Sequence, residues 1–348
     1  MEKIRLGKTG MMVSRIGFGG IPIQRIYEDE AIATVRRSLA LGINYIDTAY
    51  AYGTSEERIG KAIGGQRQWV ILATKTAPVR TDINTHLEHS LGSLQVASID
   101  LYQFHNVSDF KTLEDILAPG GQLDIVKEAR KAGVVKHIGI SSHQIDVAIE
   151  AVKSEQFETI MYPFNFVMRE AEDNLIPLAR KLDVGFIAMK PFAGGRIKQI
   201  ALAIKYLLQF PDILILPGIG RIQEAEEIVK VMDNPGLTGA EKQEIERLTE
   251  VYSRRFCRHC DFCMPCPKGI AISFVLDWEP LSTSFPIENM YTGHMAAMME
   301  QVTQCDRCGI CESKCPYHLP IVQLINEYYR QYETGKKGLL SRKSDTTT

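Results

Sequence analysis

The first 256 residues of this chain contain no cysteine, and the whole sequence has only two tryptophans. Lys and Arg number 40 and Asp and Glu 42, which gives a formal net charge of −2. The chain therefore has no excess of positive charge that would attract a polyanion. No apolar run reaches the roughly 18 residues that a membrane helix needs, and the amino-terminal segment lacks the apolar core of a signal peptide. We therefore expect a soluble, cytoplasmic protein with no nucleic-acid partner and no membrane segment.

All eight cysteines lie between 257 and 315, in two tandem motifs. The first motif is C-x2-C-x2-C-x2-C-P and the second is C-x2-C-x2-C-x3-C-P. In a reducing compartment such crowding indicates metal binding rather than disulfides. Three tandem cysteines at this spacing wrap one cubane, whereas zinc sites pair cysteines from two separate knuckles. The motifs therefore predict two 4Fe-4S clusters, with structural zinc as the alternative.

The second motif resembles the bacterial ferredoxin run, and in two-cluster ferredoxins the fourth cysteine ligates the other cluster. The resemblance implies two sets of ligands. One set is Cys257, Cys260, Cys263 and Cys315, and the other is Cys305, Cys308, Cys311 and Cys266. The long helical interval between the motifs is similar to the α-helical ferredoxin type.

Ahead of the cysteines, short apolar runs alternate with amphipathic stretches. The strand candidates are RIGFGG, INYID, WVILATK, SIDLYQFH, HIGIS, TIMYPF, GFIAMK and ILILPG. The helix candidates cover 27–42, 83–94, 113–132, 144–152, 171–182, 197–209 and 223–232. Eight strands that alternate with helices over about 230 residues predict an α/β fold of the (β/α)8 TIM-barrel type rather than a Rossmann sheet.

These patterns predict four segments. A barrel covers 1–236, a connecting helix 237–254, a small and mainly helical ferredoxin-like domain 255–332, and a disordered polar tail 333–348.

Several predicted strands end in a polar residue, and barrel enzymes place their chemistry at the carboxyl ends of the strands. Asp47 ends the second strand, Lys75 the third and His105 the fourth, and Tyr52 lies five residues beyond Asp47. In these four residues the chain resembles the aldo-keto reductases, over about residues 3–233. The resemblance implies a catalytic tetrad at the barrel mouth.

In that tetrad Tyr52 would give a proton to a carbonyl oxygen as hydride reaches the carbon. Lys75 would make the phenol proton easier to give, since a neighbouring ammonium stabilises phenolate. Asp47 would keep Lys75 charged and in position, and His105 would orient the carbonyl of the small-molecule substrate.

The family binds an extended nicotinamide dinucleotide without a Rossmann glycine motif. The resemblance implies these contacts in the present chain: Gly19, Asp47, Ser141, Ser142, Lys190, Pro191, Phe192, Gly218, Ile219 and Arg221. Glu224 lies where many members carry an arginine that pairs with the 2′-phosphate, but Arg221 could compensate for it. NADP is therefore favoured, and NAD is the alternative.

The combination predicts an NAD(P)H-dependent oxidoreductase whose clusters exchange electrons with a redox protein partner or a second acceptor. A nicotinamide gives two electrons as hydride while each cluster takes one, and no residue run identifies a flavin that would mediate. Two alternatives stay open: a carbonyl reductase with structural or redox-sensing clusters, and a non-catalytic, redox-responsive binding protein. The sequence indicates neither the carbonyl substrate nor the oligomeric state.

Overall fold

The computed structural model describes residues 1–77 and 82–345, which divide into two compact units. The first unit comprises Met1–Ala193 and Ile197–Lys242, and the second comprises Gly194–Arg196 and the chain from Gln243 onward. Three residues of the loop after Phe192 thus belong to the second unit. The segment bounds 1–236, 237–254 and 255–332 stay a prediction.

The first unit is a barrel of eight parallel strands, each hydrogen-bonded to its neighbours in chain order. The strands are β3 (Phe18–Gly19), β4 (Tyr45–Asp47), β5 (Ile71–Lys75), β6 (Ile99–Phe104), β7 (Val135–Ser141), β8 (Thr159–Pro163), β9 (Gly185–Met189) and β10 (Ile213–Leu216). Single parallel bridges from Ile16 to Ile215 and from Gly19 to Gly218 join the two ends of the sheet. All eight predicted strands are present, and the TIM-barrel prediction is confirmed.

Helices cover the outside of the sheet between successive strands. They are α1 (Glu28–Ala40), α2 (Ser55–Ile63), α3 (Ile83–Leu94), α4 (Phe110–Leu117), α5 (Gln122–Lys131), α6 (Ile145–Lys153), α7 (Leu175–Lys181), α8 (Ile200–Leu208) and α9 (Ile222–Lys230). Their apolar faces are buried, as Ala31 and Val35 are on α1.

The single helix predicted over 113–132 is wrong. The structure has α4 and α5 there, separated at Pro119, Gly120 and Gly121. Proline removes a backbone donor, and Gly120 has a φ of +74°, which lies outside helical geometry.

An antiparallel hairpin that the sequence patterns did not reveal precedes the barrel. Its strands are β1 (Lys3–Arg5) and β2 (Met12–Ser14). Ile4 and Val13 join one apolar core with Tyr45 and Leu101 from inside the barrel. The hairpin therefore plugs the barrel, whose interior is packed side chains rather than a channel.

The second unit is helical, as predicted. Its helices are α10 (Gly239–Ser253), whose first residues belong to the barrel unit, and α11 (Ile272–Leu276), α12 (Trp278–Ser284), α13 (Ile287–Tyr291), α14 (Gly293–Glu300), α15 (Ile310–Lys314) and α16 (Ile321–Asp345). Its core gathers Val275, Trp278, Met299, Leu324 and Tyr332. The rings of Trp278 and Tyr332 pack edge to face at 5.3 Å.

The prediction of a disordered tail is wrong over 333–345, because α16 continues to Asp345. Glu300 of α14 accepts a hydrogen bond from Tyr332 Oη at 3.0 Å and pairs with Lys336 one turn later. These contacts fix the helix where sequence polarity alone suggested disorder. Residues 346–348 of the predicted tail lie outside the described part of the chain.

No helix among the described residues is long and apolar enough to cross a bilayer.

Candidate active site and cluster ligands

The four residues predicted as a tetrad come from one end of the barrel. Asp47 and Lys75 are the last residues of β4 and β5, and His105 directly follows β6. Tyr52 lies in the loop between β4 and α2. Parallel strands place all their carboxyl ends on one face, so the barrel brings these side chains to one rim.

Asp47 and Lys75 form an ion pair that is almost wholly buried. Lys75 Nζ donates to Asp47 Oδ1 and to the backbone oxygen of Thr48, the latter at 2.8 Å. Burial lowers the pKa of Lys75, but Asp47 and Tyr52 raise it, and the net direction is above the usual value. Lys75 therefore carries its charge at neutral pH.

Gln103 supports this pair, and sequence reasoning missed it. Its side chain is fully buried, and Nε2 donates to Asp47 Oδ2 at 2.9 Å. The bond favours the ionised carboxylate on the oxygen that Lys75 does not use. A signal was present in the sequence, because Gln103 is an amide inside an otherwise apolar end of β6. The structure pairs it in register with Lys75.

Tyr52 lies between the ammonium and the imidazole. Lys75 Nζ is 5.0 Å from the centre of its ring, and the His105 ring lies edge-on at 5.5 Å. Burial raises the pKa of Tyr52 and Lys75 lowers it, and the net direction is above the ordinary value of 10. Lys75 acts in the direction expected from the sequence but does not outweigh burial. The phenol keeps its proton at neutral pH.

His105 is held in its neutral form. Burial and then the charge of Lys75 lower the pKa of its imidazole to about 3. Its Nδ1 is buried and has no hydrogen-bond partner among residues 1–77 and 82–345. A buried polar atom without a partner is costly, so this nitrogen is suited to a ligand oxygen or hydroxyl.

The two predicted serine contacts lie at the carboxyl end of β7, and their hydroxyls accept hydrogen bonds from backbone amides of the loops there. Ser141 Oγ accepts a hydrogen bond from the backbone of Asn106 at 2.9 Å. Ser142 Oγ accepts one from the backbone of Gln144 at 3.0 Å. Both side chains are buried.

The predicted contacts that follow β9 also lie at this rim. Lys190 has a φ of +55°, and its carbonyl accepts a hydrogen bond from Asn165 Nδ2 at 3.0 Å. Pro191 is buried and Phe192 is half-buried. The buried amide of Asn165 thus fixes the turn that begins this stretch.

The remaining predicted contacts flank the closure of the barrel. Gly19 ends β3, its amide donates to Pro217, and its carbonyl accepts from Ile219 at 3.1 Å. A Cβ on Gly19 would lie 2.7 Å from the carbonyl oxygen of Pro217. Gly218 in the following loop is exposed.

Arg221 is exposed at the start of α9, where Glu224 takes one of the backbone donors. Glu224 Oε2 accepts from the amide of Gly220 at 2.7 Å. A phosphate bound at this helix start would compete with that carboxylate for the amide.

The second unit gathers four of its cysteines around the first motif. Burial raises the pKa of Cys257 to about 12, and the charges of Cys263 and Cys260 add to it. Burial also raises the pKa of Cys260, with a contribution from Cys315. These four are the thiols of the first predicted ligand set.

The other four cysteines line one cavity together with Cys263. Burial raises the pKa of Cys311, and the charge of Cys266 contributes. The cavity is lined by Cys263, Cys266, Cys305, Cys308 and Cys311, with Pro267, Ile270 and Ile325 among the apolar residues. Cys263 of the first set therefore lies beside the second.

The candidate ligands are eight free cysteine thiols. Within the described ranges, no three His, Cys, Asp or Glu side chains converge as the ligands of one zinc ion do. Eight thiols in two adjacent groups match the ligand count of two 4Fe-4S clusters.

Comparison with known proteins is consistent with both units. The sequence model of the Aldo/keto reductase family matches residues 15–201, and that of the 4Fe-4S dicluster domain matches residues 256–320. Aldo-keto reductase YhdN of Bacillus subtilis (strain 168) is 36% identical over 200 residues. That match covers 52% of this chain and 59% of YhdN, which is less than two thirds of its length.

Two solved structures resemble the barrel. The holo form of aldo-keto reductase AKR11C1 from Bacillus halodurans superposes with a TM-score of 0.62 at 27% identity, covering 71% of this chain and 96% of that one. An aldo/keto reductase from Klebsiella pneumoniae, in complex with NADP and acetate, gives a TM-score of 0.62 at 22% identity, with coverages of 71% and 95%. The second likeness bears on the fold alone.

Proposed function

Because this chain belongs to the aldo/keto reductase family, we propose that it reduces the carbonyl group of a small molecule with hydride from a nicotinamide dinucleotide. The observation that carries the proposal is the meeting of Asp47, Tyr52, Lys75 and His105 at one rim. A protonated phenol, a buried charged ammonium and a neutral imidazole with an unpaired nitrogen are the groups that a developing alkoxide requires.

Each residue has a defined task. When bound, the dinucleotide supplies the hydride that the carbonyl carbon takes. Tyr52 gives its Oη proton to the oxygen of that carbonyl, and Lys75 stabilises the phenolate that remains. His105 orients the carbonyl oxygen, and Asp47 holds Lys75 in place. The product is an alcohol, formed when the carbonyl group gains one hydride on carbon and one proton on oxygen.

NADP is the proposed dinucleotide, because it is what the family resemblance implies and because a protein of similar fold was solved with it. Its contacts would be the residues predicted from the sequence at the ends of β3, β7, β9 and β10. NAD is the second candidate, since Glu224 already engages Gly220 and would repel a further phosphate.

The two groups of cysteines would hold 4Fe-4S clusters in the ligand sets predicted from the sequence. Such clusters, when bound, supply one-electron transfer. A one-electron carrier protein is the proposed partner. We place the protein in the cytoplasm, where a reducing environment keeps the thiols available.

The catalytic proposal is tested with Tyr52→Phe. The matched control is Tyr50→Phe, which removes a hydroxyl from the same loop, two residues earlier. NADPH consumption is followed anaerobically with 4-nitrobenzaldehyde. We expect a loss of at least about a hundredfold in Tyr52→Phe, the scale of a lost general acid, and little change in Tyr50→Phe. Turnover of Tyr52→Phe at the wild-type rate would refute the assignment.

The role of the clusters is tested on the same preparations. After analysis of iron and acid-labile sulfide, NADPH is added anaerobically without a carbonyl, and absorbance near 400 nm is recorded. Bleaching would support electron exchange between the dinucleotide and the clusters. An unchanged spectrum together with carbonyl turnover would support the structural or sensing alternative, and absence of both would favour a binding protein.

A further inference from the structure

A buried ion pair lies beside the first group of cysteines. Within the second unit, Arg196 Nη1 donates to Asp277 Oδ1 at 3.0 Å, and only 5% and 11% of the two side chains are exposed. Arg196 also donates to the backbone oxygen of Leu276, and its guanidinium lies over the ring of Phe256 at 5.4 Å. These contacts fix both charges in a weakly screened environment.

The carboxylate of this pair connects to a cluster ligand through one residue. Asp277 Oδ2 is 3.1 Å from His259 Nε2, and the backbone amide of His259 lies 3.4 Å from Cys257 Sγ. The charge of Asp277 also acts on the thiol of Cys257 directly. The Arg196–Asp277 pair is therefore part of the immediate surroundings of the first ligand set.

The second ligand set has a different environment. The ion pair near it joins Lys268 and Asp306 at 3.4 Å, with 45% and 51% of the side chains exposed. Water and salt screen exposed charges, so this pair acts weakly on a neighbouring group. The two predicted clusters thus differ in how strongly a fixed charge reaches them.

We propose that Arg196 and Asp277 act with opposite sign on the reduction potential of the cluster held by Cys257, Cys260, Cys263 and Cys315, and that neither charge changes the potential of the other cluster. The inference rests on the proposed presence of two clusters. Reduction adds one electron, so a nearby positive charge favours the reduced cluster and a negative charge disfavours it. In the native pair the two effects oppose each other.

The test is an anaerobic redox titration at one pH, with dithionite as reductant and both clusters followed by electron paramagnetic resonance. The variants are Arg196→Met, Asp277→Asn and the double variant. At a fixed potential, we expect the ratio of reduced to oxidised first cluster to fall about tenfold in Arg196→Met and to rise about tenfold in Asp277→Asn. The double variant should return close to wild type, and the second cluster should not change in any of them.

Two further variants separate electrostatics from folding. Arg196→Lys keeps the positive charge and should retain the wild-type ratio, even if it unfolds more easily. Lys268→Met removes the exposed cation near the second ligand set and should leave both ratios within about twofold of wild type. Shifts of the same sign in both single variants, or no shift with iron content intact, would overturn the inference. A wild-type protein that binds no iron would instead refute the proposed clusters.

Discussion

At the scale of single residues, His105 shows how the barrel rim controls protonation. Its imidazole is neutral because burial and the charge of Lys75 both oppose a second proton, which lowers its pKa from 6.5 to about 3. The unfolded chain gains that proton below pH 6.5, whereas the folded protein resists it until the pH falls to about 3. Protonation of His105 therefore has no effect on stability above pH 6.5, and it lowers the free energy of unfolding as the pH falls from 6.5 toward 3.

Replacing His105 should remove this dependence. Between pH 7.5 and 5.5 the wild-type protein should lose about 1.4 kcal/mol more unfolding free energy than His105→Gln, since pH 5.5 is one unit below the unfolded pKa. Urea unfolding followed by circular dichroism at both pH values gives the comparison. Equal losses in the two proteins would show that His105 is not held neutral.

Polar residues at predicted strand ends were sufficient to predict that Asp47, Lys75 and His105 lie at one rim, whereas the place of Tyr52 among them came from the resemblance to the aldo-keto reductases. Gln103 was missed because the hydrogen bond that it donates to Asp47 depends on the strand register, although an amide in an apolar run was a signal for it. The bond between Glu224 and Gly220 was missed because it depends on the path of the loop before α9.

At the scale of elements, the strands were predicted well because parallel strands buried on both faces are continuous apolar runs. The hairpin of β1 and β2 was missed because its strands have three residues each, too few to show a period. The continuation of α16 past Tyr332 was missed because Lys336 pairs with Glu300 of α14, a residue distant in sequence.

Gly139 links the packing of β7 to the tetrad. A Cβ there would lie 2.2 Å from Thr159 Oγ1 and 3.1 Å from Gln103 Cγ. We expect Gly139→Ala to destabilise the barrel by about 1–3 kcal/mol, the usual cost of overpacking, and to reduce carbonyl turnover by displacing Gln103 from Asp47. Thermal unfolding and the NADPH assay measure the two effects.

The matched control is Gly92→Ala on α3. Its added Cβ meets nothing within 4 Å, so the change should stabilise the helix by about 0.5–1 kcal/mol without affecting turnover. If Gly139→Ala were as stable as wild type, the tight packing of β7 against β6 and β8 would be contradicted.

At the scale of the whole molecule, the second unit protects its cysteines unequally. Cys263 and Cys315 of the first set are buried, whereas Cys308 of the second set is exposed. Solvent access governs how readily a chelator or oxidant reaches a ligand.

Iron should therefore leave the protein in two phases. With ferricyanide and a chelator, we expect about half of the iron to be released quickly from the second ligand set and the rest slowly, as stoichiometry and solvent exposure require. Released iron and the paramagnetic resonance signal of each cluster follow the phases. Loss of all iron in one phase would indicate that exposure does not distinguish the clusters.

The closure of the barrel has a mechanical consequence. Its first strand, β3, has two residues. Single bridges from Ile16 to Ile215 and from Gly19 to Gly218 connect this end of the sheet to the end that contains β10. Backbone hydrogen bonds such as that from Gly19 to Pro217 close the ring along this seam, and Gly19 and Gly218 lie on opposite sides of it. A dinucleotide that contacts both residues would bind only the closed barrel, so the free energy of unfolding would rise with the concentration of the dinucleotide.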